Sequence, residues 1–242
     1  MAQVSDPITI EQLLDNGVHF GHQKKRWNPK MKPFIFTRRG DIHIIDLAQT
    51  LTSMKTAFEF IQQIIEQNKT ILFVGTKKQV RTIIKEQAIR CGMPYVNTRW
   101  LGGTFTNFET IKKSIQRLDR LEARKNTEEF EKLTKKEQTI INKQLEKLLV
   151  NLEGIRTLKT TPDAVFIIDT NRDYIAVDEA NNKKISIVAL VDTNSDPSKV
   201  TFPIPANDDA IKSLEFIVTK LADFILLVKQ EKAKKVAPAP KE

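Results

Sequence analysis

Three short segments, Ile71–Val74, Ala164–Ile168 and Ile185–Val191, are apolar at almost every position rather than at every second one. A strand with one wet face alternates apolar and polar residues, whereas a continuous run marks a strand covered on both faces. Gly75 closes the first run, and Val80, Ile83, Ile84 and Ala88 begin a helical stripe that stops at Gly92. A helical stretch near Asp173–Asn181 separates the second run from the third, and a long helix follows from about Asp208 to Val228. Ahead of the first run, Leu47, Leu51, Met54, Phe58, Ile61 and Ile65 repeat at spacings of four and three, the pattern of an amphipathic helix. Strands alternating with helices predict an α/β fold, a mainly parallel, Rossmann-like sheet with right-handed crossovers and helices on both faces.

The remaining segments fill in this frame. Thr9-Ile-Glu-Gln12 is a capping box that opens a short helix ending at Gly17. Gly21–Gly40 holds Pro29 and Pro33 and is expected to be extended or looped, while Ile42–Ile45 and Pro94–Val96 are short strand candidates. Phe108–Leu152 breaks the rhythm. One narrow stripe runs through Phe108, Ile111, Ile115, Leu118 and Leu121, and a second through Ile141, Leu145, Leu148 and Leu152. The capping box Thr134-Lys-Lys-Glu137 lies between them, which predicts an inserted antiparallel, coiled-coil helical hairpin that buries its own seam and projects from the body. The expected division is a discontinuous α/β domain at 1–104 and 154–228, the hairpin at 105–153, and a disordered Lys/Ala/Pro tail at 229–242.

Length and composition narrow the class. A chain of 242 residues with 40% apolar content can bury one sizeable core. No apolar run reaches 18 residues, and MAQVSDP resembles neither a signal nor a transit peptide. The single cysteine, Cys91, leaves no internal disulfide and fits a reducing compartment. The net charge of +9 is segregated. Residues 21–40 carry Lys24, Lys25, Arg26, Lys30, Lys32, Arg38 and Arg39 with no acid, and residues 77–99 carry six cations against one acid. Residues 161–215 reverse the balance, with ten acids and five cations. Segregation of this kind points to a positive surface aimed at a polyanion.

Each candidate for chemistry has a plainer reading beside it. The Val74-Gly-Thr-Lys-Lys78 turn places Lys77 and Lys78 at a helix start that favours anions. It lacks both phosphate-loop fingerprints, so a nucleic-acid phosphate contact and an ordinary strand-to-helix turn both stand ahead of a nucleotide pocket. Asp169 and Asp192 follow buried strands and could hold Mg²⁺, but Asp169-Thr-Asn171 and Asp192-Thr-Asn194 are also strong turn and cap formers. His19, His22, His43 and Cys91 show no zinc spacing, so no metal or cofactor site is expected. No catalytic triad or dyad is recognisable, and an enzyme is not expected. The loops Lys24-Lys-Arg26-Trp27-Asn-Pro-Lys30 and Arg99-Trp100-Leu-Gly-Gly103 interleave cations with indoles, which suits phosphates and exposed bases. Trp100 reads in part as a core anchor. Lys112, Lys113, Arg117, Lys135 and Lys136 are mixed with Glu and suit a solvated helical face.

These loops also carry a resemblance. Gly17-Val-His-Phe-Gly-His-Gln23, Arg26-Trp-Asn-Pro-Lys-Met-Lys-Pro33, Ile42-His-Ile-Ile-Asp-Leu47, Ile71-Leu-Phe-Val-Gly-Thr-Lys-Lys78 and Arg99-Trp-Leu-Gly-Gly103 resemble, in order, the family of the second protein of the small ribosomal subunit, bacterial type. Cys91-Gly-Met-Pro-Tyr-Val-Asn97, Thr106-Asn-Phe108, Val191-Asp-Thr-Asn194 and Asn207-Asp-Asp-Ala210 extend the likeness to about residues 8–228. Ala206, Ser195 and Asn181-Asn-Lys-Lys184 depart from the family's usual pattern. The resemblance implies a flavodoxin-like domain with an inserted hairpin, bound to small-subunit ribosomal RNA between head and body. It also implies neighbouring ribosomal proteins as partners, among them the largest, messenger-RNA-capturing one, and a cytoplasmic or organellar ribosome. No membrane or homo-oligomer is expected. Its RNA contacts would fall on Lys24–Trp27, Lys30, Lys32, Lys77, Lys78, Arg99 and Trp100, and the charge pattern adds Arg38 and Arg39.

Overall fold

The computed structural model describes residues 8–236. A short helix, α1 (Ile10–Asp15), starts at the Thr9 capping box and ends before Gly17, which takes φ +69°. Next comes an antiparallel sheet of β1 (Phe20–Gln23), β2 (Ile35–Arg39) and β3 (Ile42–Ile45), in the order β1-β3-β2. Residues 35–39, within the stretch expected to be extended or looped, form an edge strand. Ile35-Phe-Thr37 suits a strand once Pro33 is passed, and Gly40 at φ +62° closes the hairpin to β3.

The body begins with α2 (Leu47–Glu66), capped by Asp46. β4 (Ile71–Val74), α3 (Arg81–Cys91) and β5 (Tyr95–Val96) follow. β6 (Ala164–Ile168), α7 (Tyr174–Asn182), β7 (Ser186–Val191), β8 (Phe202–Pro205) and α8 (Ile211–Val236) complete it. Between β5 and β6 lie α4 (Phe108–Lys125), the one-turn α5 (Glu128–Glu131) and α6 (Lys135–Leu152). The five body strands are all parallel, in the order β5-β4-β6-β7-β8. Renumbered within the sheet this is 2-1-3-4-5, the flavodoxin-like order, with its topological switch between β4 and β6.

The continuous apolar runs are explained by two cores. Ile71, Phe73, Phe166, Ile168, Val188 and Leu190 pack on one face with α2, α3 and α8. Leu72, Val74, Val165, Ile167, Ile187 and Ala189 pack on the other with α7, Trp100 and Phe105. Successive residues of one strand thus serve opposite cores, and both sets are fully buried.

Two expectations change. The seam of α4 and α6 is not self-contained, because Ile111, Ile115, Leu118, Leu145 and Leu152 merge with the sheet's second core. An added Cβ at Gly154 would collide with the backbone oxygen and ring of Tyr95, so the return from α6 passes against β5 with no room for a side chain. The supposed tail is helical as far as Val236. Lys and Ala are good helix formers, and Lys229 and Lys232 reach back to cap other elements. The Lys229 Nζ donates to Cys91 O at 2.7 Å, and the Lys232 Nζ donates to Asn68 Oδ1 at 2.7 Å. Residues 237–242 of the expected tail lie outside the described residues.

Candidate nucleic-acid interface

The basic segment is displayed by a small rigid mount. Met31 is fully buried, Asn28 caps the 3₁₀ turn Pro29–Phe34, and the backbone N–H of Asn28 donates to Thr193 O at 2.7 Å. The N–H of His22 donates to Thr193 Oγ1 at 2.8 Å, and a Cβ on Gly21 would strike the Thr193 side chain at 2.5 Å. The β1–β3 sheet is therefore clamped to the loop that follows β7.

On this mount Lys24, Lys25, Arg26, Lys32, Arg38 and Arg39 are exposed. Lys24 N–H donates to Asp41 O at 2.8 Å, which folds the first cations back beside the β2–β3 hairpin. Arg38 pairs with His43 across β2 and β3, and the ring of Trp27 lies 5.3 Å from that of His43. Burial, then the Arg38 and Lys24 charges, push the pKa of His43 below its ordinary value. Lys30 is partly committed. Its ammonium meets Asp196 Oδ2 at 2.7 Å and Ser198 Oγ at 2.8 Å. Burial works against the Asp196 charge, but Lys30 and Ser198 outweigh it and hold that carboxyl at about 2.

Other sequence candidates take different roles. Lys78 and Arg99 are exposed. Lys77 is buried, with its ammonium 2.6 Å from Asp209, 2.8 Å from Asp208 and 3.3 Å from Asp169. Burial lowers its pKa, but these carboxylates outweigh it and the net shift is upward. Trp100 is buried and its Nε1 donates to Glu179 at 3.1 Å. Glu179 also accepts from the N–H groups of Gly103, Phe105 and Thr106, at 2.7, 2.8 and 3.0 Å. Burial raises the Glu179 pKa, yet these donors outweigh it and the carboxylate stays ionised. Sequence reasoning did not single out Glu179. The signal was an acid on α7 beside the buried Ala176, Val177 and Ala180.

The strand-to-helix turn after β4 is occupied from within. Thr76 donates to Asp173 from its backbone N–H at 3.3 Å and from Oγ1 at 2.8 Å, so a carboxylate stands where a phosphate would. Gly75 serves packing, since a Cβ there would meet Val80 and Ile84 at 2.9 Å. Asp169, at φ +65°, accepts from the N–H of Arg172 at 3.0 Å as a turn former. Cys91 sits buried at the end of α3, where burial raises its thiol to about 11.

The body thus has the flavodoxin strand order, its first strand-to-helix turn is occupied by Asp173, and it carries a clamped sheet rimmed with exposed cations. Residues 13–227 match the family model described as Ribosomal protein S2. A relative named small ribosomal subunit protein uS2, from Dictyoglomus thermophilum, is 53% identical over 219 residues, covering 90% of this chain and 89% of its own. Proteins of the same name from Nitratiruptor sp. and Micrococcus luteus are 49% and 52% identical, covering 97% and 90% of this chain and 91% and 77% of theirs. The chain belongs to the ribosomal protein S2 family, whose members are structural proteins of the small ribosomal subunit and not enzymes. Among the described residues, no helix is long and apolar enough to cross a membrane.

Proposed function

We propose that this protein is a structural constituent of the small ribosomal subunit that binds small-subunit ribosomal RNA through its clamped basic sheet. The observation that carries the reading is the cluster of Lys24, Lys25, Arg26, Lys32, Arg38 and Arg39, all exposed on one three-stranded mount. Lys30 flanks them beside Asp196, Trp27 within the same segment is half-buried, and Lys78 and Arg99 are exposed on the body. Lys77 and Trp100 are buried and fix the segments that carry their exposed neighbours Lys78 and Arg99. The ribosomal place that fits this role is the junction of head and body, in a cytoplasmic ribosome. There the helical insertion and the acidic 161–215 region would face neighbouring proteins, including the one that captures messenger RNA.

The test is filter binding of the full chain to small-subunit ribosomal RNA across a salt series. Each phosphate neutralised contributes roughly 0.7–0.9 to the slope of log affinity against log salt. Replacing Lys24, Lys25 and Arg26 together with Ala should weaken binding and flatten that slope by about two, with the circular dichroism unchanged. Wild-type binding by the triple variant would remove these cations from the interface.

A further inference from the structure

The carboxyl edge of the parallel sheet gathers more negative charge than its own cations balance. Asp169, Asp192 and Asp208 are buried there, Asp209 is half-exposed, and Lys77 is the buried lysine among them. Four carboxylates against the Lys77 ammonium and the His22 ring, which lies between Asp192 and Asp209, leave an excess that a low-dielectric site tolerates only with protons or with a bound cation.

Lys77 takes one oxygen of each of two neighbouring acids, Oδ1 of Asp208 and Oδ1 of Asp209. The second oxygens behave differently. Oδ2 of Asp209 stands 3.2 Å from Nε2 of His22. Oδ2 of Asp208, on a side chain with no exposed surface, has no hydrogen-bond partner among the described residues. A donor atom from each of His22, Asp208 and Asp209 lies within 4.8 Å of the others. The opposite ring nitrogen of His22, Nδ1, faces Oδ2 of Asp192 at 3.0 Å.

We propose that His22, Asp208 and Asp209 bind one divalent transition-metal ion of the zinc class, with Asp192 orienting the histidine ring. Donors about 2.1 Å from such an ion sit about 3.4 Å apart at the tetrahedral angle, close to the spacing of Nε2 and Oδ2. A carboxylate behind the other nitrogen is the usual partner of a metal-bound imidazole. The mixed nitrogen and oxygen set favours zinc, cobalt or manganese over calcium and magnesium, which prefer oxygen alone. Lys77 would remain on the outer oxygens, limiting the negative charge that the ion must offset. The ion would tie β1 to the loop between β8 and α8, a second fastening of the basic sheet beside Thr193.

The test uses the full chain stripped with a chelator, desalted, and titrated separately with zinc and with magnesium, with bound metal counted by mass spectrometry. The expected result is one zinc per chain that survives desalting, and no retained magnesium. His22→Gln and Asp209→Asn should each weaken zinc binding at least tenfold, and Asp192→Asn should weaken it by about ten- to a hundredfold. His19→Gln should bind as wild type. His22 is half-buried and Asp209 half-exposed, so both variants can be checked for a native circular dichroism spectrum before titration. Cobalt in place of zinc should give visible d–d absorption that His22→Gln removes. Failure of the wild type to retain zinc, or equal retention by the His22→Gln and Asp209→Asn variants, would overturn the site. None of these readouts depends on RNA binding.

Discussion

Lys77 and Lys78 are adjacent, identical in type and opposite in exposure. Lys78 is exposed, while Lys77 is consumed by Asp169, Asp208 and Asp209. Nothing local separates them, because the acids that claim Lys77 lie 92 to 132 positions further along the chain. Trp100 was open in the same way, and its indole is held by Glu179 on a distant helix. The exposed cations of residues 24–39 were legible because their company is local: seven basic side chains with no acid among them. Asp173 provides a test at this scale. Burial raises its carboxyl from an ordinary 3.8 to about 6, against the pull of the Thr76 hydrogen bonds. A folded-state pKa above the unfolded one means that its contribution to stability is complete below pH 3.8 and is lost as pH rises through 6. Asn cannot ionise. Asp173→Asn should therefore gain about 1.4 kcal/mol relative to wild type between pH 5 and pH 8 in urea unfolding. A pH-independent difference between the two proteins would show that Asp173 is not the buried acid described.

At the level of elements, the α/β rhythm could be read because burial on both faces leaves a continuous apolar signature, as in β4, β6 and β7. The edge strand β2 could not, since Phe36, Thr37, Arg38 and Arg39 are exposed and carry no core face. The last turns of α8 were hidden for a related reason. Their lysines read as tail, and only the carbonyls of Cys91 and Glu66 reveal their capping role. The helical insertion was legible as two stripes, but its attachment to the body was not, because a glycine that admits another chain segment leaves no periodic mark. Lys184, at φ +56°, holds the α7–β7 turn in a conformation that glycine adopts more readily. Gly154 makes the attachment testable. Gly154→Ala forces a methyl group onto Tyr95 and should cost about 1–3 kcal/mol. Gly102→Ala, with nothing among the described residues within 4 Å of the added carbon, should be nearly neutral by the same denaturation assay. Equal effects at the two glycines would mean that α6 does not return against β5.

For the whole molecule, the division of charge decides between a ribosomal constituent and a free adaptor that uses only its helices. The cations of residues 21–40 sit on a sheet fastened to the body, whereas the acids of 161–215 supply turns, the Lys77 pocket and the Glu179 anchor. On the proposed reading a polyanion would meet a fixed positive surface, and its binding would release counterions. Sucrose-gradient sedimentation of cell extract at low salt should place the chain with the small subunit and leave little at the top. Raising the salt should strip the Lys24, Lys25 and Arg26 triple variant from the subunit before the wild type. Substituting the exposed helix cations Lys112, Lys113 and Lys136 should leave that order unchanged, because they lie among glutamates and contribute no unbalanced field. A persistent free pool, with binding lost through the helix cations instead, would transfer the function to the insertion and leave the basic sheet without a role.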